Sequence, residues 1–219
     1  DVERSRGLGD VYKRQNILCI TISAKFSGQV NSAQVAVELA RESLPGVVIE
    51  VLDCATAAAA QGLVVLAAAR EAASGQGLPG VVAKARSVAE RVHLIAMVDT
   101  LSYLVRGGHV PKAAAWASSV FRIKPLLALN DGDVRPLANT RTTPRAIDRM
   151  LKIMKQSVVG GQPLHVAVMH ADALDNAIRL RERISSRFDC TELFITEFTP
   201  VMGAHIGPGL IGVAFYSGG

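Results

Sequence analysis

Short β-branched apolar runs alternate with longer Ala- and Leu-rich stretches through the first ninety residues, and few folds other than helices laid on a parallel sheet accommodate that order. Residues 16–23 (NILCITIS) read as a buried strand. A helical pattern follows from about Asn31 to Ser43, with Ala33, Val37, Ala40 and Leu44 at helical spacing, and Pro45-Gly46 ends it. Residues 47–52 form a second strand closing on Asp53, residues 55–74 a long helix, and residues 78–92 another. The character then changes. A strand at 93–98 and a helix at 100–105 lead through Gly107-Gly108 to a helical stretch at 112–121. Two β runs, 123–129 and 133–139, are joined by Asn130-Asp131-Gly132, residue types that tolerate positive φ and so mark a hairpin. Helices at 142–158 and 172–188 and strands at 164–170, 192–198 and 210–216 complete the order. The expectation is a two-part α/β chain: a parallel-sheet unit over 16–91 and a mixed or antiparallel-sheet unit over 92–219.

Composition narrows the class. Apolar residues make up 49% and charged residues 20%, which supplies a full core. Aromatics are only 5%, thin for a chain that stacks bases. Of the net +5, the densest cluster, Arg179, Arg181, Arg183 and Arg187, shares one helix with Glu182 and reads as a solvated face; no nucleic-acid partner is expected. No apolar run approaches the roughly 18–20 residues of a membrane span, so a soluble, cytoplasmic chain is expected. Cys19, Cys54 and Cys190 are far apart, which indicates neither a disulfide framework nor a metal site. Residues 1–15 differ from the rest: seven of fifteen are charged and no period is sustained. They are read as a non-native leader, and the chain as the carboxy-terminal piece of a longer parent.

Three stretches carry chemistry. Residues 26–32 (FSGQVNS) form a small-polar loop between a strand and a helix, where Ser27 either binds an anion or caps the helix. Residues 202–209 (MGAHIGPG) set His205 among three glycines and a proline, a pattern expected to form a tight loop between two strands with the imidazole at its centre. Arg106-Gly107-Gly108-His109, Lys124 and Arg141 each place a cation beside a turn, suited to a carboxylate or phosphate or simply solvated. His93, His165 and His170 sit at strand positions and read as structural. Asp53 caps a helix or edges a site, and Cys54 beside it has no activating partner. Ser27 and His205 also suit a stand-alone hydrolase or acyl transferase, as nucleophile and base.

Taken in order, TISAKFSGQVNSA, VLDCATAAAAQG, LSYLVRGGHV, IKPLLALNDGDVRPLANTRT and GAHIGPGLIGVAF resemble the DegV family of bacterial fatty-acid-binding proteins, over essentially all of residues 16–219. The resemblance implies two α/β domains with one long-chain fatty acid between them. It also implies a substrate-presenting role, not an enzyme by itself: the fatty acid kinase of phospholipid synthesis has a separate ATP-binding subunit that phosphorylates the presented carboxylate. On that likeness Ser27 hydrogen-bonds the carboxylate and His205 assists phosphoryl transfer at the head group. Gly28, Gly207, Pro208 and Gly209 shape the head-group pocket. No cofactor is implied beyond the bound fatty acid, and membrane contact is at most transient. The family's Asp-Ser-x-x-Asp and Thr-Ser-Gln-Pro segments are absent here. His109 stands where the family usually has Arg, and Cys54 where it usually has Ser.

Overall fold

The structure, a computed structural model, describes residues 16–108 and 123–218. The candidate leader 1–15, the helix expected at 112–121 and His109 lie outside the described residues. The first sheet has two parallel strands, β1 (Ile17–Thr21) and β2 (Ile49–Asp53), with Ile17 opposite Ile49 and Thr21 opposite Asp53. They are linked by α1 (Gln29–Ala40), whose half-buried residues are Val30 and three of the expected stripe, Ala33, Val37 and Ala40, while the fourth, Leu44, lies in the turn beyond the helix end. Helices α2 (Ala58–Ala73) and α3 (Leu78–Arg91) follow, and α3 ends where Val92 turns extended.

The second sheet has six strands in the order β5-β4-β3-β8-β6-β7. These are β3 (His93–Met97), β4 (Lys124–Asn130), β5 (Asp133–Thr140), β6 (Leu164–His170), β7 (Glu192–Glu197) and β8 (Ile211–Ser217). β6 and β7 are parallel and the other neighbours antiparallel, so the sheet is mixed, as expected. The β4–β5 turn falls at Asp131 (φ 50°) and Gly132 (φ 73°), both left-handed, which explains the residue types there. Short α4 (Ser102–Gly107) follows β3, α5 (Thr143–Ser157) and α6 (Leu174–Ser185) flank β6, and α7 (Pro200–Ile206) precedes β8.

Strand periodicity divides the core into two faces. Val166 and Val168 of β6, with Ile211, Val213 and Phe215 of β8, face α5 and α6. Ala167, Met169, Ala214 and Tyr216 alternate with them and face α2 and α3. The other side of α2 and α3 receives Leu18 and Ile20 of β1, so this helix pair is a middle layer shared by both sheets. Arg183 pairs with Asp148, while Arg179, Arg181 and Arg187 are exposed, which is the solvated face expected of that cluster. Among the described residues no helix is long and apolar enough to cross a membrane.

Candidate functional site

His205 does not stand in a loop. Thr199 takes an extended N-cap conformation with its hydroxyl accepting from Met202 N (3.5 Å), and Pro200 opens the helix, so residues 200–206 close one helical segment. The glycines taken as loop-formers divide their work. Gly203 lies inside α7, while Gly207 (φ 78°) stops it, with its N–H still donating to the Gly203 carbonyl at 2.8 Å. Gly207 and Gly209 also receive neighbours that no nearby pattern announced. The Tyr103 ring of α4 lies where a Gly207 Cβ would stand, and the Asp99 carboxylate where a Gly209 Cβ would stand. Asp99 holds Lys124 at 2.5 Å, and Arg106 lies over the Tyr103 ring at 4.7 Å. These two cations therefore have protein partners, whereas Arg141 is exposed.

Ser27 lies in the turn after β1, half-buried, with its hydroxyl accepting from Gln29 N at 3.3 Å. Gly28, the N-cap of α1, is exposed and has no side chain to offer, so the Ser27 hydroxyl takes the first N–H of the helix, the capping role the sequence left open for it. Two groups tie the turn to the β2–α2 connection: Asp53 accepts from Ala24 N (3.1 Å) and Ala55 N (2.8 Å), and Ser23 N donates to the Thr56 carbonyl (2.9 Å). Asp53 is thus a brace between two strand ends. Burial pushes the neighbouring Cys54 thiol up, which suits a packed thiol and not a nucleophile.

That connection leads into a largely apolar groove that touches α7. It has a volume of about 490 Å³, within the roughly 300–1,000 Å³ of small-ligand sites. One wall is α2 (Ala58, Ala59, Gly62, Leu66), and the other comprises Phe194 of β7, Phe198 of the β7–α7 connection and Met202 of α7, with Gln61, Thr196, Glu197 and Thr199 adding polar groups. Small residues on α2 keep the walls apart. Met202 and His205 are three positions apart and so share one side of α7, which carries that wall toward the imidazole. Neither Ser27 nor His205 lines the groove; the turn that carries Ser27 is tied to the start of α2 by the hydrogen bond from Ser23 N to the Thr56 carbonyl, two residues before Ala58. A second groove of about 460 Å³ runs along the opposite flank of α2, lined by Leu18, Ile20, Ala68 and Val81, and Val65 borders both.

The strand histidines have structural surroundings, as expected. His165 stacks on Tyr216 (4.6 Å, 8°), and its Nδ1 lies 2.7 Å from Glu192. Arg70 of α2 grips the same Glu192 with its two terminal guanidinium nitrogens (2.7 and 2.6 Å), and this guanidinium first, then His165, holds the carboxyl below its usual range. His170, buried, receives Ala173 N at 3.4 Å. Sequence reasoning missed the Arg70–Glu192 clasp, which joins residues 122 positions apart. It also missed the groove's apolar lining, whose local signal is the run of alanines from Ala57 to Ala60 with Gly62 beyond it.

Comparison with known proteins agrees with this architecture. The family model described as "Uncharacterised protein, DegV family" matches residues 9–218. A DegV domain-containing protein of Streptomyces coelicolor is 38% identical over 202 residues, covering 92% of this chain and 70% of its own. A DegV family protein from Thermus thermophilus, whose structure is described as fatty acid binding, superposes with a TM-score of 0.85 at 29% identity, covering 96% of this chain and 74% of that one. DegV of Bacillus subtilis, described as a fatty acid binding protein, does so with a TM-score of 0.83 at 25% identity, covering 97% and 74%. The match runs through both sheets and the helices between them, and the chain belongs to the DegV family.

Proposed function

We propose that this protein binds one long-chain fatty acid, with the acyl chain in the groove between α2 and the β7–α7 wall and the carboxylate at Ser27 and His205. The observation that carries the reading is the groove itself: of ligand size, mostly apolar in its lining with Gln61, Thr196, Glu197 and Thr199 at its polar positions, and bordered by Met202 one helical turn before His205. The fatty acid binding described for the Thermus and Bacillus relatives supports it. Hydroxyl and imidazole donors suit a carboxylate, Gly28 leaves open space beside Ser27, and Gly207, Pro208 and Gly209 shape the backbone after His205.

The protein acts in the cytoplasm as a presenting subunit. A separate ATP-binding kinase subunit supplies the nucleotide; a carboxylate oxygen attacks the γ-phosphorus, the bond to the β–γ bridging oxygen breaks, and ADP leaves with acyl phosphate formed. Holding the carboxylate in line is the contribution of this chain, and His205 assists the transfer.

Extraction with organic solvent followed by mass spectrometry tests the binding. The expected result is one equivalent of long-chain fatty acid from the wild type and none from a Ser27→Ala, His205→Ala variant. Hydroxylamine trapping of acyl hydroxamate, with kinase subunit and ATP added, tests the presentation. A protein that takes up no fatty acid when supplied with it, or one that hydrolyses esters through Ser27, would overturn the reading.

A further inference from the structure

The turn that carries Ser27 is wedged between two elements. Ser23, 1% exposed, donates its N–H to the Thr56 carbonyl on one side. On the other it abuts Gly132, the buried, left-handed glycine at the tip of the β4–β5 hairpin. A Cβ at Gly132 would fall on the Ser23 hydroxyl oxygen. That oxygen accepts from Lys25 N (3.2 Å), and the Ser23 carbonyl accepts from Phe26 N (2.9 Å), closing the turn that delivers Ser27. Lys25 then reaches back to the hairpin, its Nζ donating to the Asp131 carbonyl (2.8 Å) and to Asp133 Oδ2 (3.1 Å).

We propose that the hairpin tip Asp131-Gly132-Asp133, acting through Ser23 and Lys25, is a clamp that positions Ser27 against the ligand carboxylate. The inference rests on the fatty-acid reading above and adds three positioning residues to it: Lys25, Gly132 and Asp133. The Lys25 and Asp133 side chains are 52% and 45% exposed, so the ion pair contributes little to stability. Its effect is on geometry. A hydrogen bond to a carboxylate weakens steeply outside about 2.6–3.2 Å, so a displaced turn loses the head group and keeps the acyl chain.

Affinities for palmitate and for 1-hexadecanol separate these two contributions. In Lys25→Met and Gly132→Ala the palmitate preference falls roughly tenfold while hexadecanol affinity stays at the wild-type level. Gly132→Ala also strains the hairpin, and Lys25→Met keeps the test independent of that strain. Asp133→Asn distinguishes positioning from charge. As part of a clamp it lowers the palmitate preference, whereas removing an anion near a site that merely used the Lys25 charge would raise it. A wild-type preference that depends on Ser27 but is unchanged in Lys25→Met and Gly132→Ala, or is raised by Asp133→Asn, overturns the clamp alone. A wild type that binds neither ligand, or whose preference ignores Ser27→Ala, overturns the fatty-acid reading and the clamp with it.

Discussion

Gly207 shows how one position serves several ends. Its φ of 78° with ψ of 167° belongs to a region that only glycine occupies at little cost, and the Tyr103 ring fills the space a side chain would need. Gly207→Ala is therefore expected to lower stability by about 1–3 kcal/mol, read as a lower urea midpoint at unchanged slope. Gly209→Ala is expected to act in the same direction, because its Cβ would sit 2.6 Å from the Asp99 carboxyl carbon. A histidine makes a separate prediction. His93 stacks on Phe215 at 5.0 Å, and burial lowers its pKa below the ordinary value. The native state thus binds fewer protons than the unfolded chain, whose histidine titrates near 6.5. The contribution of His93 is full above that value and is lost as pH falls through its lower folded value. His93→Gln should flatten that part of the stability–pH curve, measured by urea unfolding at several pH values; an unchanged slope would refute the assignment.

Helix α2 takes its place from a clasp at one end and a groove at the other. Arg70 holds Glu192 at the start of β7, while Ala58 to Leu66 face the far end of that strand and α7. The Glu192 carboxyl is held low by Arg70 and then His165, so this clasp stabilises fully above the ordinary glutamate range and is lost as pH falls through the depressed value. Glu192→Gln should remove that acid-side loss, and Arg70→Met most of it, in urea unfolding between about pH 5 and pH 2. Elements of this kind differ in how far sequence exposes them. The alternation of strands and helices, the Asn-Asp-Gly hairpin and the Ala33–Val37–Ala40 stripe were legible because local spacing decides them. Helix α7 was not: glycines at 203, 207 and 209 outweighed the Thr199-Pro200 start signal, although only Gly207 and Gly209 have positive φ. Of the candidate site, short motifs singled out Ser27 and His205, whose role is the proposal made above. The groove beside α7, and the contacts of Tyr103, Asp99 and Glu192, depend on residues far apart in the chain, which no local pattern encodes.

The two sheets are unequal in how they are held. In the six-stranded sheet β6 and β8 are buried on both faces between two helix layers. In the two-stranded sheet only Thr21 of β1 and Leu52 of β2 are buried, α1 buries no residue, and Val35, Leu39 and Val48 are 58%, 74% and 50% exposed. Local opening free energy follows buried apolar contact, so residues 17–53 should open well before the larger sheet does. Native-state hydrogen exchange is expected to show β1 and β2 amides exchanging roughly a hundredfold or more faster than those of β6 and β8. The same segment carries the Ser27 turn, so opening it dismantles the head-group end of the proposed site. Fatty acid at a hundred times its dissociation constant should therefore slow exchange in β1 and β2 by about a hundredfold, because a ligand bound only to the closed state stabilises it by that factor. Uniform protection across both sheets without ligand would refute the unequal hold. Protection by ligand confined to α2 and β7, with β1 and β2 unchanged, would show that the acyl chain binds without help from the Ser27 turn.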